Sequence, residues 1–291
     1  MMYMLLIKEI WPGRTLGQEK FVMPEAFVAN WQDLDEWMEV KYKDMPLGIV
    51  RTQIQRIKGG YFLAGSRLHI TLPFGVLRMS LSADGAALLD SKMTLEMAAL
   101  DCDLINQKVR FEAAVSGDAL YYTLTTNGAL TGGGRLLLAA PPSLYPAARS
   151  MLARNFKLQV GQTYDVQVFD PLWTFGSDMA RMRVLKREQV PTGGASKEMV
   201  DAFKIETTFN EMKSYSWVDD QGRTVRHQLG MELILSRIET AEARRTYPQM
   251  DKPLVAPIVN NDKLREFTKS NPSLRVNNGA LSILRDALGG R

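Results

Sequence analysis

The chain has 291 residues, 45% hydrophobic and 23% charged, which excludes a disordered or low-complexity protein and leaves room for one large domain or two ordinary ones. Its 36 basic residues exceed its 32 acidic ones by a small, dispersed surplus; no run of Lys and Arg tracks a phosphate backbone, so no nucleic-acid partner is expected. One cysteine, Cys102, rules out an intrachain disulfide.

Met1 to Ile7 is apolar, but seven residues fall short of the roughly twenty of a membrane span. It also lacks the basic lead and the cleavage site of a secretory signal. Two readings stay open. One is a short hydrophobic terminus packed on the domain. The other is the end of a membrane helix, with Lys8 to Arg14 as its interfacial exit around Trp11 and Pro12.

Residues 15–34 form a connector containing Pro24. Trp37–Tyr42 begins strand structure, Asp44–Gly48 reads as a turn, and Ile49–Ile57 as a second strand with Arg51, Gln53 and Gln55 on its wet face. Gly59-Gly60 turns again. In Tyr61–Leu72, Leu68, Ile70 and Leu72 share one face and Arg67, His69 and Thr71 the other. Phe74–Leu81 reads as a fourth strand and Asp84-Gly85 as a tight turn. This rhythm of strand and turn predicts an antiparallel sheet rather than βαβ units. Met93–Leu104 fits a helix or a strand; Asp101, Asp103 and Asn106 opposite Leu100, Cys102 and Leu104 favour a strand. Val109, Phe111, Ala113 and Val115 alternate. Gly117-Asp118 turns into Leu120–Thr125, and Arg135–Leu138 is a further candidate strand.

Pro141–Asn155 breaks the alternation. Leu144, Ala147, Ala148, Met151 and Leu152 fall at helical spacing, which predicts one packed helix over 143–155 between two strand sets. Tyr164–Phe169 resumes the alternation, and Met182 and Val184 lie opposite Arg181 and Arg183. Thr192–Ser196 is a loop. Phe203, Ile205, Thr207 and Phe209 then alternate with polar residues, and Tyr215 and Trp217 continue their face past Asn210-Glu211. Asp219–Gly222 turns, Thr224–Gln228 returns, and Leu229, Met231, Leu233 and Leu235 point one way, giving a meander of three strands. Glu239–Arg245 is a helical turn. Pro248, Pro253 and Pro257 hold an extended segment, and Asp262–Lys269 and Leu281–Leu288 are short helices. The expected fold is mainly β (α+β): antiparallel meander sheets in an open or half-closed barrel with one packed helix. Residues 1–14 are the candidate membrane-helix end, 31–247 the β domain, and 248–291 a linker with short helices.

Little in the chain is spaced for chemistry. Thr131–Arg135 holds three glycines but lacks the Lys-Ser/Thr of a phosphate loop and reads as a hairpin connection. Cys102 would need a histidine base. His69 and His227 are the only two histidines, each on an expected polar face, while Cys102 lies on an apolar one, where thiols are inert. These three are too scattered for zinc. Asp101 with Asp103, and Asp219 with Asp220, read as a wet strand face and as turn chemistry. No catalytic residue, metal ligand or cofactor is expected. Trp173 and Phe175, in the loop after Asp170-Pro171, are the candidate binding residues, with packing over the sheet end as the other reading.

Trp37 to Ile57 resembles the opening of the extracytoplasmic amino-terminal region of bacterial transglutaminase-like proteins. Asp90–Leu95, Asp118–Thr123, Gly161–Leu172 and Trp217–Arg226 with Leu229-Gly230-Met231 fall in the order that family shows. Asp251–Leu254 is similar to its linker, and Ile7–Arg14 to the exit of its membrane helix. No cysteine follows that linker, and Asn261–Arg291 does not resemble the family's continuation, so no catalytic residue is carried over. The resemblance implies a non-catalytic module on the periplasmic side of the inner membrane, anchored through residues 1–11, docking a protein or cell-wall partner beside a transglutaminase-like protein. The alternative is a carrier of lipid or another hydrophobic ligand in a cleft between sheet and helix.

Overall fold

The computed structural model describes residues 31, 33–74, 77–104, 107–137, 143–144, 158–170, 176–209, 212–230 and 232–252. The strands are β1 (Leu34–Tyr42), β2 (Met45–Arg56), β3 (Phe62–Phe74), β4 (Leu77–Leu89), β5 (Leu95–Leu104), β6 (Gln107–Ser116), β7 (Ala119–Thr126) and β8 (Ala129–Leu137). A second set follows: β9 (Ser143–Leu144), β10 (Thr163–Asp170), β11 (Gly176–Pro191), β12 (Met199–Phe209), β13 (Met212–Val218), β14 (Thr224–Leu229) and β15 (Leu233–Arg237). Among the described residues one helix, α1 (Thr240–Thr246), and a 3-10 turn at Pro248–Met250 come after.

All fifteen strands lie in one sheet, ordered β8-β7-β6-β5-β4-β3-β2-β1-β15-β14-β13-β12-β11-β10-β9. Each set is an up-and-down meander, and the pairing of β1 with β15 joins them. Every pairing is antiparallel except that of the two-residue β9 on β10. Among the described residues β8 and β9 are the outer strands, and no pairing closes the sheet.

Period-two alternation divides the side chains between two faces. One, the Phe62 face, carries a cluster of Leu34, Ile54, Phe62, Leu89, Leu95, Phe111 and Leu120 across β1 to β7. Register continues it to Ile205, Val184 and Met182, which form a second cluster with Phe209 and Val218. Full burial of each large side chain contributes about 1.5–3 kcal/mol. The other, the Trp37 face, is covered where α1 and the 3-10 turn cross it. Ala243 and Met250 pack there on Trp37, Ile49 and Ile238.

A row of polar side chains crosses the Trp37 face. Arg51, Arg67, Asp84, Asp101, Arg110 and Thr125 are successive register partners from β2 to β7. Arg51 and Arg67 both donate to the Met250 carbonyl at 3.1 Å, and Arg67 also donates to that of Lys252. Asp35, Asp251 and Asp84 compensate the two guanidiniums, at 2.9, 2.9 and 2.7 Å. Guanidiniums held by carboxylates keep donors to spare for carbonyls, and here they fasten the chain leaving the sheet.

Several sequence expectations are corrected. Asp84-Gly85 is mid-strand in β4, because Asp84 is tied to Arg67 and Gly85 makes room for Leu100. Gly48 lies within β2, and Lys43-Asp44 makes the turn. Thr131–Arg135 belongs to β8; the connection before it is Asn127-Gly128, both left-handed at φ 50° and 87°. The stretch from Phe203 onward holds four strands, since β12 and β13 pair antiparallel with Phe209 opposite Met212. Ser143 and Leu144 pair with β10 instead of opening a helix. The rest of the expected helix, residues 145–155, lies outside the described residues, as do Trp173, Phe175, residues 1–30 and 253–291.

Candidate ligand-binding face

The meander puts the β1–β2, β3–β4, β5–β6, β7–β8, β12–β13 and β14–β15 hairpins at one end of the sheet, here its upper end. The Phe62 face differs along its height. Toward the lower end Phe62, Leu89 and Leu120 are fully buried. Toward the upper end many of its apolar side chains are only half-buried: Val50 on β2, Leu68, Ile70 and Leu72 on β3, Met79 and Leu81 on β4, and Val109 on β6; Met38 and Val40 on β1 and Ala83 on β4 are buried there. Leu229 on β14 and Leu233 and Leu235 on β15 extend this strip beyond β1. Tyr42, Met45 and Met212 stand exposed at its upper border. The half-buried side chains of β2 to β6 and those of β14 and β15 flank the buried Met38 and Val40 of β1.

Cys102 lies in this strip, opposite Ala83 and Val109. Burial, and then the Asp101 carboxylate, push its thiol above the ordinary range, which disfavours the thiolate. No histidine is its register partner. His69 points to the Trp37 face, opposite Ile49 and Ser82. His227 is buried at 3% exposure rather than on a wet face, and its Nδ1 lies 2.8 Å from Ser216 Oγ.

Around that pair the Phe62 face turns polar. Ser216 stands opposite His227 and Ile205, and Ser214 opposite Thr207 and Leu229. Thr207, Ser214 and Ser216 are all buried, and Thr207 Oγ1 has no hydrogen-bond partner among the described residues. Sequence reading missed this block because Tyr215 and Trp217 look like the buried face of β13. In fact Trp217 packs on the other side with Val190, Ala202 and Val225, so both faces of β13 are covered. The signal was an alternation of serine with aromatics, neither of them a charged, wet residue.

At the lower end a cavity of about 770 Å³ is lined by Asp33, Asp35, Glu36, Glu198, Asp201, Asp219, Asp220 and Glu239 against Arg187, Arg223 and Arg237. Such a lining suits neither an apolar nor an anionic ligand. Its deepest carboxylate is committed to structure: Asp219 accepts from Gln221 N, Arg223 N, Arg223 Nε and Arg237 Nη1. Asp101 is likewise held by Arg110 at 2.8 Å. Among the described residues no cluster of His, Cys, Asp and Glu could hold a metal ion, and no helix is long and apolar enough to cross a membrane.

No family model matches the chain, and no curated protein matches it. Among solved structures, it is similar to a β-barrel-like protein of domain of unknown function DUF1849 from Brucella abortus. The TM-score is 0.50 at 11% identity over 70% of this chain and 95% of that one. A DUF1089 family protein from Pseudomonas aeruginosa aligns at TM-score 0.36 and 13% identity, over 60% and 86% of the two chains, too distant to carry an argument. The first likeness shows the fold alone: a mainly antiparallel, β-barrel-like architecture.

Proposed function

We propose that this protein is a non-catalytic binding module that takes an extended apolar ligand, such as an acyl chain, along the half-buried strip of the Phe62 face. In this reading the sheet curls into a half-closed barrel with that face inward. The observation that carries it is the contrast along one face from β2 to β6: solid packing at the lower end, half-exposed Leu, Ile, Val and Met at the upper. From β6 to β2 the strip crosses four strand spacings of about 4.8 Å, or roughly 19 Å. An acyl chain spans about 15 Å, half of a bilayer's hydrocarbon core. Burying about twelve methylenes yields a gross ~10 kcal/mol, and ordering costs bring the Kd to the micromolar range. The raised thiol pKa of Cys102 supports the non-catalytic part.

Docking beside a transglutaminase-like protein on the periplasmic side of the inner membrane rests on the sequence resemblance alone, and the strip favours the ligand. Cys102 supplies the test without mutation, because it sits within the strip. Dodecanoate should slow its alkylation by a maleimide, and native mass spectrometry should find co-purified lipid. Unchanged alkylation together with a lipid-free mass would refute the reading.

A further inference from the structure

We infer that the Trp37 face of β12 to β14 holds a site for a multivalent oxyanion, a phosphate chain or closely spaced phosphates, on Lys204 and Arg226. The site lies on the face opposite the apolar strip and does not depend on it. Lys204, Trp217, Arg226 and Ser236 are successive register partners from β12 to β15. The indole is therefore flanked by two cations. Lys204 Nζ stands 4.9 Å from its ring centroid and 4.5 Å from that of Tyr215, and the Arg226 guanidinium carbon stands 5.3 Å from the Trp217 centroid. Both cationic side chains are half-buried, so each keeps a side open to solvent.

Stacking explains where the two cations lie, since the face of an aromatic ring attracts positive charge. It leaves their N–H donors free. The neighbouring cations are paired instead: Lys186, opposite Lys204, with Glu188 at 2.7 Å, Lys213 with Glu206 at 3.4 Å, and Lys41 with Glu39 at 2.9 Å. Those three carboxylates also accept from the Trp217 indole, the Tyr215 hydroxyl and the Gly194 amide, at 2.8, 3.2 and 3.4 Å. Among the described residues no carboxylate lies within ion-pair distance of Lys204 or Arg226, and Arg226 Nε is buried with no hydrogen-bond partner. A partly buried charge without a counter-charge is destabilising, and an oxyanion supplies the missing partner. The guanidinium fork takes two oxygens of one phosphate, and the ammonium takes another as a point charge. Both ends stand near one ring, within the span of a short phosphate chain.

The test is isothermal titration calorimetry of the full chain with inorganic tripolyphosphate at low salt. Co-sedimentation with phosphatidylcholine vesicles containing phosphatidylglycerol is the second arm, because lipid headgroups carry the same chemistry. Wild-type protein should bind, and more weakly as NaCl rises. Arg226→Gln and Lys204→Gln should each lose about tenfold in affinity, the worth of one charge-assisted hydrogen bond. Arg226→Lys and Lys204→Arg, which keep the charge, should recover a large part of it. Lys43→Gln removes the same charge from the β1–β2 turn, where Lys43 is paired with Glu232, and should bind as the wild type does. The arm that shows this pattern identifies the source of the phosphate. No binding in either arm would overturn the site. So would equal losses in Lys43→Gln and Arg226→Gln, or a loss that the charge-keeping variants do not recover.

Discussion

Gly48 gives the sharpest test of the architecture. A Cβ built there would lie 2.0 Å from the His69 carbonyl oxygen, 2.8 Å from Ile70 Cα and 2.9 Å from His69 C. All three are backbone atoms of β3, so no flexible side chain can swing away. Ordinary contact begins near 3.4 Å, so in Gly48→Ala β2 must retreat from β3 by more than an ångström. Overpacking of this kind costs about 1–3 kcal/mol. Each ladder hydrogen bond broken by the retreat adds roughly 1 kcal/mol. The lower entropy of an unfolded alanine offsets only about 0.4–1 kcal/mol. The expected loss is about 3 kcal/mol, which lowers Tm by roughly 6–12 °C in a domain of this size. Urea melts with an unchanged m-value would report it. Gly85→Ala is the control: its Cβ would meet the free end of Leu100, Cδ1, at 3.2 Å, and should cost less than about 1 kcal/mol. If Gly48→Ala melts with the wild type, the pairing of Gly48 with Ile70 is wrong.

Other outcomes follow from the same contacts. Arg67→Met removes the bonds to Asp84 and to the Met250 and Lys252 carbonyls. It should cost about 2 kcal/mol and speed tryptic cleavage around Arg244 and Arg245, read by gel and mass spectrometry; unchanged cleavage would show that the clamp does not hold the segment. Asp219 responds to pH. Burial alone would raise its pKa, but the Arg223 amide and the Arg237 and Arg223 guanidiniums outweigh it and hold the carboxyl below its ordinary value. The stability this contributes is complete above the unfolded value, about 3.9, and is lost as pH falls through the lower folded one. The stability gap between wild type and Asp219→Asn should therefore narrow in acid urea melts, and a gap constant down to pH 2 would contradict the assignment. Because the Cys102 thiol is pushed up, it should react with a disulfide reagent more slowly at pH 8 than after unfolding in urea. Equal rates would place it on open surface.

Much of the fold was legible because alternation is local. Ile205, Thr207 and Phe209 declare their shared face within a few residues, and the buried pattern of β12 agrees. The same holds for Met182 and Val184 on β11. The turn at Asp219–Gly222 was equally plain, its carboxylate bonded to the amides of Gln221 and Arg223.

What failed depended on partners far away in the chain. Asp84-Gly85 has the composition of a turn, but Arg67 on one side and Asp101 on the other make it mid-strand. His227 looked wet because arginine and glutamine flank it, yet those two point to the opposite face while the imidazole meets Ser216. The sequence by itself determined that this protein is a sheet of antiparallel strands, since one-face burial writes a period of two into each strand. Only the tertiary structure decided which strands meet, that β1 joins β15, and that a buried serine and histidine meet on the Phe62 face. Those contacts are made between residues distant in the chain, and no local period records them.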